Sequence, residues 1–189
     1  MQSPSAPDLA RFVARDIANV RTGAPYRLVR ADTIDPTDAQ CAAITSVCNE
    51  PPVYEFLFRT RLDGAPYPHE KAREFLAWAQ RGWAEATHFV FVVVDGTGTI
   101  CAAADIKSPD LASAEIGYWA SSRHAGVMTP AVAALCELAR AAGFRSLFAT
   151  VKPENSRSIS VLERNGFARD AEGVAKPSGP RLLYRRSFR

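Results

Sequence analysis

Apolar residues change their period along the chain, and each change marks an element. Tyr26-Arg27-Leu28-Val29-Arg30 alternates and predicts a short strand. Asp35-Pro36-Thr37-Asp38 then opens a helix that runs to about Cys48, with Ile44, Val47 and Cys48 on one face. Glu70 to Arg81 is a second amphipathic helix carrying Phe75, Leu76 and Trp78. His88 to Asp95 (HFVFVVVD) is almost wholly apolar, as a strand buried on both faces would be. Asp95-Gly96 with Thr97-Gly98 is a hairpin turn, and Thr99 to Lys107 returns as the partner strand. After a turn at Ser108 to Leu111, Ala114 to Ala120 is a strand rich in β-branched and aromatic residues.

A polar loop, Ser121 to Gly126, separates that strand from a helix over Thr129 to Ala142, with Thr129 as N-cap, Pro130 at the first helical position and Gly143 as the stop. Ser146 to Val151 is the next strand. Strand, loop, helix and strand make a right-handed unit, so the two strands are expected to be parallel neighbours. Asn155 to Arg164 is a short helix ended by Asn165-Gly166. Phe167 to Asp170 and Arg181 to Phe188 are the last strands, joined by the loop Gly173 to Pro180. At the other end, Ser3-Pro4-Ser5-Ala6-Pro7 reads as mobile, and Leu9, Phe12, Val13 and Ile17 follow at helical spacing after Asp8. Pro51 to Pro68 has aromatic residues among turn formers and no clear period. It reads equally as a folded core flap or as a specificity loop.

The segment Ala114 to Thr129 carries the candidate chemistry. A strand, a tight loop and a helix N-terminus point several backbone N–H groups one way, backed by the positive end of the helix dipole. The expected role of Gly126 is to leave out a side chain that would hold a phosphate off the backbone. Neither GxxxxGKS/T nor GxGxxG occurs, so a P-loop and a Rossmann turn are excluded as its source.

Arg123-x-x-Gly126-x-Met128-Thr129 resembles the acetyl-CoA loop of the GCN5-related N-acetyltransferases (GNAT), and Ile116-Gly117-Tyr118-Trp119 with Val127-Met128-Thr129 looks like the RimJ/RimL-type subgroup. Asn155-Ser156-Arg157-Ser158 followed by Val161-Leu162-Glu163-Arg164-Asn165-Gly166-Phe167 is similar to the family's second conserved helix. The resemblance implies an α/β (α+β) fold: one GNAT-type domain over residues 25–189, with a mixed, mostly antiparallel sheet of six to seven strands flanked by helices. A central parallel pair would be splayed, and residues 1–24 would form an extension, partly mobile or a packing helix. It implies acetyl-CoA as co-substrate, held by Tyr118, Trp119, Ala120, Arg123, His124, Ala125, Gly126, Val127, Met128 and Thr129 together with Asn155 and Ser158. Backbone N–H groups near Trp119 and Ala120 would stabilise the oxyanion. Glu115 would be the base and Ser158 the acid, because Leu162 stands where many relatives carry Tyr; Tyr118 and Tyr184 are reserve acids. Each has a structural alternative: Glu115 in an ion pair, Asn155 and Ser158 as helix caps only.

By subgroup, the acceptor is a protein N-terminal amine of ribosomal-protein type. A small amine or aminoglycoside is the alternative acceptor, and a non-catalytic acyl-CoA sensor is the alternative class. Composition changes this little. At 189 residues and 47% hydrophobic, the chain supports one good core. Its net charge of +3 owes much to four Arg in residues 181–189. Leu182, Leu183, Tyr184 and Phe188 interleave them, which suits a solvated strand edge better than a nucleic-acid footprint. Cys41, Cys48, Cys101 and Cys136 are scattered and read as reduced core thiols, and no metal is expected. No apolar run reaches membrane-span length and no signal peptide is visible, so a cytoplasmic location is expected. Apolar residues around Leu9 to Ile17 would allow a homodimer.

Overall fold

The computed structural model describes residues 7–9, 12, 14–171, 173–176 and 179–188. The read-out of Ser3 to Ala6 as mobile, and the placing of Val13 on a helix, lie outside these residues. Among the described residues the chain forms nine strands and five α-helices. In chain order these are β1 (Ala14–Ala18), β2 (Pro25–Arg30), α1 (Asp38–Cys48), α2 (Pro51–Leu57), α3 (His69–Glu85), β3 (Phe89–Val94), β4 (Ile100–Ile106) and β5 (Ala114–Ala120). They continue with α4 (Met128–Ala141), β6 (Ser146–Val151), α5 (Ser156–Arg164), β7 (Ala168–Arg169), β8 (Val174–Lys176) and β9 (Gly179–Ser187).

The sheet runs β1-β2-β3-β4-β5-β6-β9-β7, with β8 added on β9. Every pairing is antiparallel except β5 with β6. Strand β3 shows why the sheet lies at the centre. All six of its residues are buried, and they alternate between two cores. Phe89, Phe91 and Val93 join Leu135, Leu147 and Leu162 under α4 and α5. Val90, Val92 and Val94 join Ile44 and Leu76 under α1 and α3. A period-two strand apolar at every position can be satisfied only when both faces are covered.

Several expectations need correction. Residues 14–18 are a strand, not part of a helix: the exposed edge of β2 offers backbone hydrogen bonds, and β1 takes them in register from Ala14–Val29 to Ala18–Pro25. Leu9 is buried in the main core, and Phe12 and Ile17 pack against it. The unpatterned stretch after Pro51 begins with helix α2, because two Pro residues in the first turn need no intrahelical N–H partner. Helix α4 starts two residues earlier than expected, with Val127 rather than Thr129 at the N-cap and Pro130 at the third helical position. The two strands beyond the expected six to seven are β1 and β8, the latter inside the segment read as a loop.

Helix α3 also runs past Arg81, through Gly82 to Glu85, because Ala72, Leu76, Ala79 and Trp83 continue one buried stripe. Trp83 Nε1 donates to the Val90 carbonyl at 2.8 Å. The His88 ring stacks on Trp78 at 4.0 Å between centroids and fills the space over Gly82. Gly82→Ala should therefore cost about 1–3 kcal/mol by overpacking, read as a lower melting temperature. A raised melting temperature, the outcome of helix propensity alone, would show that the His88 contact yields freely.

Candidate active site

Strands β5 and β6 pair through two positions only, Ala114–Leu147 and Glu115–Phe148. Each has a full antiparallel partner on its other side, β4 for β5 and β9 for β6. Beyond Glu115 the pair opens into a wedge, and its facing backbone groups are left for another extended molecule to meet. The β4–β5 register fixes which groups these are. Ser121 N–H donates to the Cys101 carbonyl and Lys107 N–H to that of Glu115. By alternation, Trp119 N–H is turned to β4, and the N–H groups of Tyr118 and Ala120 face the opening. Of the two residues expected to supply an oxyanion donor, Ala120 is the one so oriented.

The wedge leads into the loop 121–127. A short 3₁₀ turn covers Ser122–His124, Gly126 takes φ +105°, and α4 begins at Met128 without a side-chain cap. By position, Met128 and Thr129 N–H have no intrahelical acceptor, which is the arrangement that attracts an anion. The structure gives Gly126 a packing reason of its own. A Cβ there would collide with Asn19 Oδ1 and the Arg21 stem, on the side of the β1–β2 turn rather than in free space. The Arg123 guanidinium leans toward Ser46 Oγ (3.4 Å) and Glu50 (4.0 Å). His124 Nδ1 lies 2.9 Å from the Tyr26 hydroxyl.

Glu50, at the α1–α2 junction, was not foreseen as part of the site. Its Oε1 accepts from Ser121 Oγ (2.6 Å), and its Oε2 accepts from Ser122 N–H (2.6 Å) and Ser122 Oγ (2.7 Å). Burial pushes its carboxyl up, but the two Ser hydroxyls, the Ser122 N–H and the Arg123 charge outweigh burial and hold it below the ordinary Glu range. The 71 residues between Glu50 and Ser121 explain why no local pattern signalled it.

Side chains of β5 alternate between the two faces of the wedge. On the α1/α3 side lie Glu115, Gly117 and Trp119. Glu115 Oε1 is 3.2 Å from Lys107 Nζ and accepts from Thr150 Oγ1 at 3.1 Å. Asp105 faces Gly117, and its Oδ1 accepts the Gly117 N–H at 2.8 Å. Burial pushes the Asp105 carboxyl up and nearby Glu115 adds to this, against the pull of Lys107 and the Gly117 N–H. A side chain at Gly117 would be crowded, because Asp105 Oδ1 and Lys107 Cε each lie 3.0 Å from where its Cβ would stand. A lone Asp in the otherwise apolar stretch ICAAADI was the available signal for this residue. Both partners of Glu115 are donors, so the ion pair and a base stationed at the wedge are compatible in one side chain.

On the α4/α5 side, Tyr118 Oη lies 2.8 Å from Ser158 Oγ and donates to the Ser158 carbonyl at 3.0 Å. Burial pushes the Tyr118 phenol far up, so it stays protonated. Asn155 caps α5, its Oδ1 accepting from Ser158 N–H at 3.1 Å. Asn165 ties the far end of α5 to α4 by donating to the Thr129 carbonyl (3.2 Å). Leu162 is fully buried in the core, and Tyr184 bonds Glu163 at 3.2 Å, away from Ser158. The structure thus gathers the loop, Tyr118 and Ser158 at one face and Glu115, with unforeseen Asp105 and Lys107, at the other. The four cysteines are buried and free; burial pushes Cys48 and Cys101 up to about 12 and Cys136 up to about 11. Among the described residues no three His, Cys, Asp or Glu gather as a metal site, and no helix is long and apolar enough to cross a membrane.

A family model described as an acetyltransferase (GNAT) domain matches residues 32–168. No curated protein matches the chain in sequence. Among solved structures, Mycobacterium smegmatis RimJ in complex with CoA-disulfide superposes with a TM-score of 0.70 at 19% identity, over 97% of this chain and 90% of that one. The ribosomal L7/L12 α-N-protein acetyltransferase RimL, in complex with coenzyme A, gives 0.70 at 16% identity over 92% and 98%. The ribosomal-protein-S5-alanine acetyltransferase of Vibrio fischeri gives 0.64 at 19% over 93% and 97%. At these identities the structural likenesses show the fold.

The lowered Glu50 pKa has a signed consequence. A carboxylate held below its unfolded value stabilises the fold above the ordinary carboxylate range, and this is lost as pH falls through the native value. Glu50→Gln should lower stability at neutral pH by about 1–2 kcal/mol. Denaturant titrations of both proteins should converge as the pH falls; a gap that stays constant with pH would show that the Glu50 charge is not what holds the loop.

Proposed function

Because the chain belongs to the acetyltransferase (GNAT) domain family of acetyl-CoA-dependent N-acetyltransferases, we propose that it acetylates a primary amine, and that the amine is a protein N-terminus. The observation that carries this reading is the wedge. Pairing of β5 and β6 stops after two residues, and the unpaired remainder of β5 leads into a loop and helix N-terminus suited to a pyrophosphate. Residues 123–129 would hold the phosphates by backbone N–H and dipole, and the opposed edges of β5 and β6 would take the pantetheine arm. Asn155 Oδ1 is spent on its cap, so its Nδ2 is the group to meet an amide carbonyl of that arm. When bound, acetyl-CoA supplies a thioester as the acetyl donor.

The two faces of β5 then divide the proton traffic. Glu115 accepts a proton from the incoming ammonium, leaving the nitrogen lone pair free to form the N–C bond. Ala120 N–H, turned to the opening, donates to the carbonyl oxygen as it gains charge. As the C–S bond breaks, Ser158 Oγ passes a proton to sulfur, with Tyr118 as its hydrogen-bonded partner. The second proton shed by the new amide nitrogen restores the balance: ammonium and thioester become amide, free thiol and one released proton. Glu115 places a carboxylate on this face of the wedge, 3.2 Å from Lys107 Nζ, which supports a cationic amine as acceptor. The N-terminal amine is supported by the RimJ/RimL-like pattern at Ile116 to Trp119 and by fold neighbours described as acting on ribosomal proteins.

Acetyl-CoA and CoA should each raise the melting temperature and ATP should not, with roughly 2.7 kcal/mol gained at 100 times Kd. Absence of a shift with millimolar acetyl-CoA would sink the assignment. Thiol release should then be fastest with peptides bearing a free Ser or Ala N-terminus and slower with aminoglycosides. The reverse order would move the acceptor to small amines.

Glu115→Gln should reduce kcat by about 10²–10⁴, and Ser158→Ala by a smaller factor, with little change in acetyl-CoA affinity. A Glu115→Gln enzyme of near wild-type kcat would return Glu115 to the role of an ion-pair partner.

A further inference from the structure

The β1–β2 turn, far from the loop in sequence, takes up three consecutive carbonyls of the segment that precedes α4. Asn19 Nδ2 donates to the Ala125 carbonyl (3.2 Å) and lies 3.5 Å from that of His124. Val20 N–H donates to the Gly126 carbonyl at 3.3 Å. Asn19 is 3% exposed, and its Oδ1 accepts Arg21 N–H (2.8 Å) and Thr22 N–H (3.3 Å). Only this orientation of the amide matches donors to acceptors on both sides. Tyr26, the second residue of β2, holds the His124 ring through its hydroxyl at 2.9 Å and edge-on at 5.6 Å between centroids. Gly126 leaves room for the arrangement, since a Cβ there would occupy the place of Asn19 Oδ1.

A peptide carbonyl and the N–H of the same peptide unit point in opposite directions. Fixing the carbonyls of 124, 125 and 126 against the N-terminal turn therefore turns the N–H groups of 125, 126 and 127 away from it. Val127 N–H is used internally, by the His124 carbonyl, while Ala125 bonds weakly to Ser122 at 3.3 Å. A loop without this anchor would be free to rotate its peptides, and its dipoles would have to be oriented at the moment an anion binds.

We infer that Asn19 is a positioning residue for the donor substrate: it pre-orients the loop 124–127 so that acetyl-CoA is held through its pyrophosphate, without itself touching the ligand. This rests on the acetyl-CoA reading given above. It also gives the N-terminal segment, which precedes the residues matched by the family model, a part in donor binding.

The test compares two donors, acetyl-CoA and S-acetylpantetheine, which carries the same thioester arm without phosphates. Asn19→Asp keeps the acceptor for Arg21 and Thr22 but removes the donor to the loop. Titration calorimetry should show its Kd for acetyl-CoA raised roughly tenfold, the factor for one net hydrogen bond, while its Kd for S-acetylpantetheine matches wild type. Tyr26→Phe, which leaves the strand intact, should raise the acetyl-CoA Kd by a smaller factor with the same selectivity. It decides the matter if Asn19→Asp does not fold. An unchanged acetyl-CoA Kd in the folded variants, or equal losses with both donors, would overturn the inference while the wild-type affinity upholds the parent reading. A wild-type protein that binds neither donor would overturn both.

Discussion

The structure depends on a parallel pairing that stops early. Hydrogen bonds join the first two residues of β5 to Leu147 and Phe148 of β6, and thereafter each strand is held by its outer neighbour. Unpaired backbone groups inside a sheet are costly unless something else meets them. The wedge survives because its walls are fixed independently. Strand β5 is anchored along β4 from Ile116 to Ala120, and β6 along β9 from Ser146 to Val151. The fully buried β3 and the two cores on either side of it keep those walls from relaxing together.

From that wedge the alternation of a single strand distributes the chemistry. One β5 face carries Glu115 with Asp105 and Lys107, all within a network of charged and hydrogen-bonded contacts. The next residue along points to the other core, where Tyr118 meets Ser158. The Glu115 carboxylate and the Tyr118–Ser158 hydroxyl pair are thereby separated by the thickness of one strand. A register slip of one residue would exchange the two faces, and the continuous β4–β5 register prevents it.

The loop at the mouth of the wedge is clamped from two sides by polar side chains from distant parts of the chain. Glu50 satisfies the hydroxyls and N–H at its beginning, and Asn19 satisfies the carbonyls at its end. Each clamp uses the complementary half of the peptide group: an acceptor where N–H groups converge, a donor where carbonyls converge. The polar groups of the loop are thus ordered before any ligand arrives.

What was legible in the amino-acid sequence was whatever repeats over a few residues. The two-sided burial of residues 89–94, the Asp95-Gly96 hairpin, the loop with its glycine before α4 and the capping Asn155 all follow from local period, turn chemistry and cap preference, which act within one or two turns of chain. These determined the order of the central elements and the place of the glycine-containing loop before α4. Only the tertiary structure decided that residues 14–18 pair as a strand, because an open sheet edge overrides a weak helical spacing. It alone brought Glu50 and Asn19 to the loop across 71 and 106 residues and set Asp105 beside Gly117. The physical reason is that a buried polar group records the need for a partner, whereas the partner's identity is settled by which strands lie side by side.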